Sequence, residues 1–377
     1  MKDGDANCAN SRESKQQTFG ASRQLAKFAS GCFLYLRPSV VRGYIVAIRD
    51  FDCRRLVWRG FIPAKLTTQR KTQLEIDAVA RTCPVCGGAE FEPHWQKGEL
   101  RIVCCFGCGT VYANPAPVGM ASGEYYDTEG AAYYLSPAKL ESDYADVRFE
   151  RELKLFREFC PRGAVLDVGC GSGAFLFQLN KHWPGDYEIL GTDVSGAPLD
   201  YAESRGVPAA RGKFLEMDFG GRNFDAITLW AVAEHLAEPK RFLEKANVLL
   251  KPGGVCFVLV PNLRSLAVRL LGAKYRYVYP QHLNYFSAQT LARLSENAGF
   301  EIVATRFTHF NPVVLWQDWR GGGREVSNQE RGELLKRTTA LKQKAWARPL
   351  KALYGLSEKT LAALGRADNV VVVLKKN

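Results

Sequence analysis

The sequence predicts an α/β fold: a doubly wound, Rossmann-like parallel sheet preceded by a small cysteine-rich module. Three observations carry that reading. From Gly163 onward, short apolar runs alternate with amphipathic helical segments, the signature of strands joined by crossover helices. The first of these runs, "VLDVGCGSG" at 165–173, ends in an aspartate and a glycine-spaced loop. Ahead of it, "CPVCGG" (83–88) and "CCFGCG" (104–109) place four cysteines in a C-x2-C-x18-C-x2-C pattern.

In chain order, residues 1–78 read as a poorly defined basic extension. They hold fourteen Lys/Arg against seven Asp/Glu, so +7 of the formal net charge of +12 falls there and only +5 on the remaining 299 residues. The basicity thus sits outside the part that carries chemistry, and nucleic acid is not the expected partner. The most apolar early stretch, "CFLYLRPSVVRGYIVAI" (32–48), is broken by Arg37, Pro38 and Arg42, too short a run for a membrane span. No secretory signal stands out, and the eleven cysteines include four in a metal pattern, so a reducing cytoplasm is the expected compartment.

Residues 79–118 read as a zinc-ribbon-like module. Cys83, Cys86, Cys105 and Cys108 sit in two matched knuckles, where Gly87 and Gly109 relieve the backbone and let four thiolates converge on one tetrahedral zinc. Four protein ligands fill the coordination shell, so the zinc is expected to be structural; Cys104 is a bystander. Residues 119–162 form a linker and leading helix, with Leu140, Tyr144, Val147, Phe156 and Phe159 at roughly helical spacing. The core at 163–310 then supplies strands at 164–168, 187–194, 224–230, 255–261 and 301–307, with helices at 173–179, 197–206, 239–250 and 287–300 between them. Ser287 is the expected N-cap of the last helix and Gly299 its end. "NVVVVLKK" (369–376) is a lone terminal strand, and residues 311–368 intervene before it.

The glycine loop fits a dinucleotide fingerprint if Ala174 stands for its final glycine, and Asp193 lies where an acid would grip a ribose. Asp167 tips the balance. A carboxylate two residues before the first glycine repels a pyrophosphate but accepts a hydrogen bond from an ammonium group. S-adenosylmethionine carries an ammonium, a sulfonium and a ribose diol and no phosphate. Asp193 can accept both ribose hydroxyls.

At this point the chain resembles a known family. "VLDVGCGSG", "GTDVS", "FDAITLWAVAEHLAEPKRFLEKANVLLKPGG" and "YPQHLNYFSAQTLARLSENAGF" are similar to the class I S-adenosylmethionine-dependent methyltransferases, most closely to a bacterial branch with an N-terminal cysteine motif that includes sugar and cell-surface-metabolite enzymes. The resemblance covers about residues 80–310 and the last strand. It implies a seven-stranded sheet with the last strand antiparallel and inserted beside the sixth. The family usually joins those two strands more directly; here residues 311–377 are expected to form a helical insertion over the substrate mouth plus that strand. By position, Asp167, Gly169, Gly171 and Gly173 would line the methionine head, Asp193 would hold the ribose, Trp230 would lie near the methionine part, and Phe214 is the adenine candidate.

For catalysis, the resemblance directs attention to "AEHL" (233–236) and "YPQHLNYFS" (279–287). His282 is the candidate base, with Tyr285 its neighbour and His235 the second candidate; each can equally serve to order its own loop. Some quinone-pathway O-methyltransferases bind a divalent metal here with two glutamates and a histidine. Glu234 and His235 match two of these, but Ala231 stands at the third position, so the resemblance stops short of a catalytic metal.

The expected function is methyl transfer from S-adenosyl-L-methionine to oxygen or carbon of a small-molecule acceptor: a sugar, cell-surface metabolite or quinone-like compound. The alternatives are an RNA- or protein-modifying methyltransferase using the zinc module to hold a macromolecule, a non-catalytic zinc-ribbon binding protein, and, more remotely, a nicotinamide oxidoreductase. Against the first, the knuckle region has only Lys97 and Arg101 as basic residues, with Glu90, Glu92 and Glu99 nearby.

Overall fold

A computed structural model describes residues 78–324 and 348–376, with a few positions between them. The basic extension, apart from its last residue, lies outside the described residues, as does the apolar stretch 32–48. Strands β1 (Ala78–Val79), β2 (Phe91–Lys97), β3 (Leu100–Cys105), β4 (Val111–Ala113) and β5 (Ala116–Pro117) come first. After a helical stretch follow β6 (Gly163–Val168), β7 (Tyr187–Asp193), β8 (Ala209–Arg211), β9 (Phe224–Trp230) and β10 (Leu250–Pro261). The last three are β11 (Asn284–Tyr285), β12 (Phe300–Thr308) and β13 (Asn369–Lys376).

Seven of these strands form the main sheet, in the order β12-β13-β10-β9-β6-β7-β8. Strands β6 to β10 are parallel, and β13 runs antiparallel to both β10 and β12. The fold class is therefore the expected one, with the terminal strand between the fifth and sixth core strands. Its run of four valines suits that interior place: β-branched side chains pack on both faces, and Val370 to Leu374 are all buried. Because β6 pairs with β7 on one side and β9 on the other, the strand order reverses there. A crevice opens at the carboxyl ends of such strands.

Two apolar layers cover the sheet. On one face Phe156 from the helix Glu150–Phe159 packs on Phe175 and Phe257. Full burial of a side chain of this size contributes ~1.5–3 kcal/mol. On the other, Leu243 and Ala246 of the helix Pro239–Leu249 pack with Leu291 and Leu294 of the helix Ala288–Asn297. Ser287 caps that last helix in a reciprocal box with Thr290.

Several elements differ from the sequence reading. The leading helix is a series of short ones, Val118–Ser122, Glu124–Asp127, Glu129–Tyr134, Pro137–Asp143 and Glu150–Phe159, broken because Gly123 and Ser136-Pro137 interrupt the backbone ladder. Strand β8 was not expected; its three residues carry no apolar period. Pro252, Gly253 and Gly254, between the expected helix 239–250 and strand 255–261, lie within β10, at an irregularity of register between Leu250 and Val255. Residues 311–368 contribute the helices Pro312–Gly321 and Arg348–Ala363.

The cysteine strands form a second sheet, ordered β11-β4-β3-β2, while β1 pairs with β5 alone. Its fourth strand is thus supplied from far along the chain: Asn284 lies opposite Tyr112 and Tyr285 opposite Val111. One face, with Val85, Val103 and Tyr112, is continuous with the main core. The other, with Leu100, Ile102 and Val111, packs on Val278 and Tyr285.

Candidate active site and cysteine centre

The glycine loop turns from β6 into the helix Ala174–His182. Gly169 has φ 73°, and a Cβ there would stand 2.7 Å from Val232 Cγ2, so only glycine fits. At Gly173, φ 74°, a Cβ would stand 2.8 Å from Ala202 Cβ; its role is to let two helices approach. Asp193 ends β7 and accepts from the backbone N–H groups of Gly171 and Ser195, each at 2.9 Å. Burial pushes its pKa up, and those N–H groups oppose the shift. Asp167 is buried beneath the loop and accepts from the Thr228 hydroxyl at 2.6 Å. Desolvation pushes its pKa up to about 7, Thr228 working against the shift and the Asp193 charge with it.

A cavity of about 380 Å³ opens over these strand ends. Gly169, Asp193 and Phe214 line it, with Ala231, Val232 and His235 from the segment after β9. Tyr126 and Tyr134, from the short helices ahead of the core, close another side. Its size and lining suit a nucleoside joined to an amino-acid head: an acidic group at Asp193 for a diol and an aromatic wall at Phe214.

Beside it lies a cluster of titratable groups. His235 Nδ1 is 2.8 Å from the Gln281 carbonyl, which only accepts, so a hydrogen bond there requires the Nδ1–H tautomer. The Tyr126 hydroxyl also lies 2.8 Å from Nδ1. His235 Nε2 points toward Glu234 Oε1, 3.9 Å away. Glu234 is buried, which pushes its pKa up to about 8, and its Oε2 has no hydrogen-bond partner among the described residues. The His282 ring sits 4.7 Å from that of His235 and 4.3 Å from that of Tyr279, and is 3% exposed. Glu234, His235 and His282 offer ligand atoms within 4.8 Å of one another, a donor set that suits a divalent cation.

The four knuckle cysteines also converge within 4.8 Å. The Cys83 and Cys108 sulfurs are 3.4 Å apart and those of Cys86 and Cys105 3.6 Å, close to the ~3.8 Å edge of a tetrahedron with zinc–sulfur bonds of about 2.3 Å. Each knuckle closes with an N–H to C=O bond, Gly87 to Cys83 and Gly109 to Cys105. Cys104 points to the opposite face of the sheet, among Leu100, Ile102 and Val111.

A family profile described as a methyltransferase domain matches residues 143–305. The ubiquinone biosynthesis O-methyltransferase of Dinoroseobacter shibae is 30% identical over 233 residues, which cover 55% of this chain and 88% of that protein. This chain belongs to the class I S-adenosylmethionine-dependent methyltransferases. The protein of the same name from Ruegeria pomeroyi matches this methyltransferase to the same extent, 30% over 233 residues, 55% and 88% of the two chains. Among solved structures, a possible histamine N-methyltransferase from Thermotoga maritima aligns with 68% of this chain and 100% of its own at 18% identity, with a TM-score of 0.43.

In this methyltransferase the cofactor and catalytic candidates named from sequence fall in four places. Gly169, Asp193, Phe214 and His235 line the large cavity. Asp167, Gly171 and Gly173 form the loop and its floor without lining it, and the Gly171 N–H is already engaged by Asp193. Trp230 lies on the other face of the sheet edge, packed on Phe175 and Phe257. His282 and Tyr285 border a smaller cavity of about 20 Å³. The Tyr285 hydroxyl donates to the Tyr279 carbonyl at 3.4 Å, and burial pushes its pKa up. Tyr126 and Tyr134 were missed as site residues, while Glu234 was noted only as half of an incomplete metal pattern. The tyrosines occur in "EYYD" and "AAYYL", where doubled aromatics read as packing. His282 provides the third donor beside Glu234 and His235, where the sequence showed only Ala231. A residue 47 positions downstream gives no local sign of that.

Proposed function

We propose that this methyltransferase transfers a methyl group to oxygen or carbon of a small-molecule acceptor, a sugar, cell-surface metabolite or quinone-like compound, with the His235–His282 pair on the acceptor side. The observation that carries this reading is the contact between the two rings at the wall of the cavity, with His235 lining it. The quinone-pathway names of the relatives favour an oxygen acceptor. S-adenosyl-L-methionine, when bound, supplies an activated methyl on a sulfonium. Asp193 would hold its ribose, Asp167 and the loop Gly169–Gly173 its methionine head, Phe214 its adenine, and Trp230 would support the methionine part from behind. Alignment and exclusion of water provide much of the acceleration of such a displacement. His282 would take the acceptor's proton, directly or through His235, and Tyr285 would hold the loop.

On this reading residues 79–118 are a structural zinc-ribbon-like module, held by Cys83, Cys86, Cys105 and Cys108 and typical of the bacterial branch. Residues 119–162 lead into a core at 163–310, and 311–377 complete it, in a cytoplasmic enzyme. Among the described residues no helix is long and apolar enough to cross a membrane. Mass spectrometry of cell extracts incubated with the protein and isotope-labelled S-adenosylmethionine tests the proposal. A labelled small metabolite is the expected product; label confined to RNA or protein overturns it.

A further inference from the structure

Both histidine-bearing segments are tied to the cysteine sheet through one buried side chain. Asn284, 1% exposed, begins β11 two residues after His282. Its Nδ2 donates to the carbonyls of Ala233 at 2.9 Å and Leu236 at 2.8 Å, which bracket Glu234 and His235. Its Oδ1 accepts from the Arg81 guanidinium at 3.0 Å. Both amide protons and the carbonyl of the side chain are thereby engaged. Arg81 lies two residues before Cys83. It donates also to the Ala237 carbonyl at 2.8 Å, and its own N–H goes to Asn114 Oδ1 at 3.0 Å. The Ala113 N–H donates to the Leu283 carbonyl at 2.9 Å, continuing the link along the strand edge.

This is more than a sheet edge needs. A strand pair of two residues is held by its backbone bonds, and Asn is a poor strand former. An amide that spans two carbonyls of a 3₁₀ turn and is itself gripped by an arginine fixes the turn's angle relative to the strand. The consequence falls on the rings. His235 keeps its Nδ1 on Gln281, one residue before His282, only while the turn and the strand hold their register. We propose that Asn284, clamped by Arg81, is the positioning residue that sets Glu234 and His235 against His282, so that the cysteine module is a working part of the transfer site. This rests on the reading of the two histidines as acceptor-side groups.

The chain has five histidines, so ¹⁵N-histidine labelling gives a short, assignable set of ring signals. The probe ligand is S-adenosylhomocysteine, followed by calorimetry. In the wild type, His235 should show a single Nδ1–H tautomer. In Asn284→Ala that signature should be lost and the His282 signals displaced, with His94, His182 and His309 unmoved and affinity for the probe changed less than about threefold. Asn284→Asp keeps an acceptor for Arg81 but loses both donations, and should behave as Asn284→Ala. Arg81→Ala should do the same, while Arg81→Lys restores the wild-type spectrum.

Unmoved His235 and His282 signals in a folded Asn284→Ala or Arg81→Ala protein overturn the proposal. So does displacement of all five rings with loss of probe binding, which marks a general folding role. If Asn284→Ala does not fold, the Arg81→Ala and Arg81→Lys pair decides. Turnover of His282→Ala tests the acceptor-side reading separately, so either idea can fail alone.

Discussion

At the scale of single residues, Asp193 combines an observed loop contact with the proposed ribose contact. Its oxygens fix the loop through Gly171 and Ser195, and the residue lines the cavity. Asp193→Ala should therefore weaken S-adenosylhomocysteine binding by about 2–4 kcal/mol, read by calorimetry, since charge-assisted bonds and loop order go together. Tight binding of a nicotinamide dinucleotide by the wild type instead would contradict the cofactor assignment. For the acceptor side, His282→Ala should lower turnover by about 10²–10⁴-fold with cofactor affinity nearly unchanged, and His235→Ala should also disturb the cavity wall. Much of this was legible in the sequence, because loop glycines and strand-end acids carry their meaning locally. The pairing of His282 with His235 was not: a loop's path across the sheet depends on β11, whose two residues have no period to read.

At the scale of elements, the cysteine sheet is the instructive case. Its knuckles announced themselves by spacing, and strands β6, β9 and β13 by apolar runs bounded by turn residues. The spacing says nothing about what the sheet touches, since packing partners are chosen by complementary faces distant in the chain. Zinc is expected at one ion per chain by elemental analysis, and Cys83→Ser or Cys108→Ser should lose it. Because Cys83, Val85 and Tyr112 belong to the same apolar cluster as Leu243 and Phe286, the loss should lower the melting temperature of the whole chain rather than melt an appendage. Carefully prepared protein without zinc would sink this expectation.

At the scale of the whole molecule, two buried carboxyl groups set a pH dependence. Asp167 and Glu234 have folded pKa values raised to about 7 and about 8 from the ordinary range near 4. The folded chain therefore holds protons that the unfolded chain has released. Their stabilising contribution is full below about pH 4 and is lost as pH rises through 7 to 8. Thermal melting of the ligand-free protein should fall between pH 5.5 and 8.5 relative to Asp167→Asn and Glu234→Gln, whose curves should be flatter. Equal slopes in all three proteins would remove both groups from the account. The sequence places Asp167 at the end of β6 and Glu234 in the turn after β9, but their burial depends on segments distant in the chain, Tyr126 and Tyr134 lying near Glu234 among these.

The strand supplied by Asn284 and Tyr285 has a consequence for synthesis. Arg81 and Asn284 are 203 residues apart, so the cysteine sheet emerges from the ribosome well before its last strand exists. During that interval the β4 edge and the apolar face around Ile102 and Val111 are uncovered, an invitation to mispairing that bound zinc alone cannot remove. A fragment ending near residue 118 would be frozen in that half-built condition. It should be poorly soluble even when metal-loaded, and the cut that looks cleanest in the sequence is the wrong place to divide the protein.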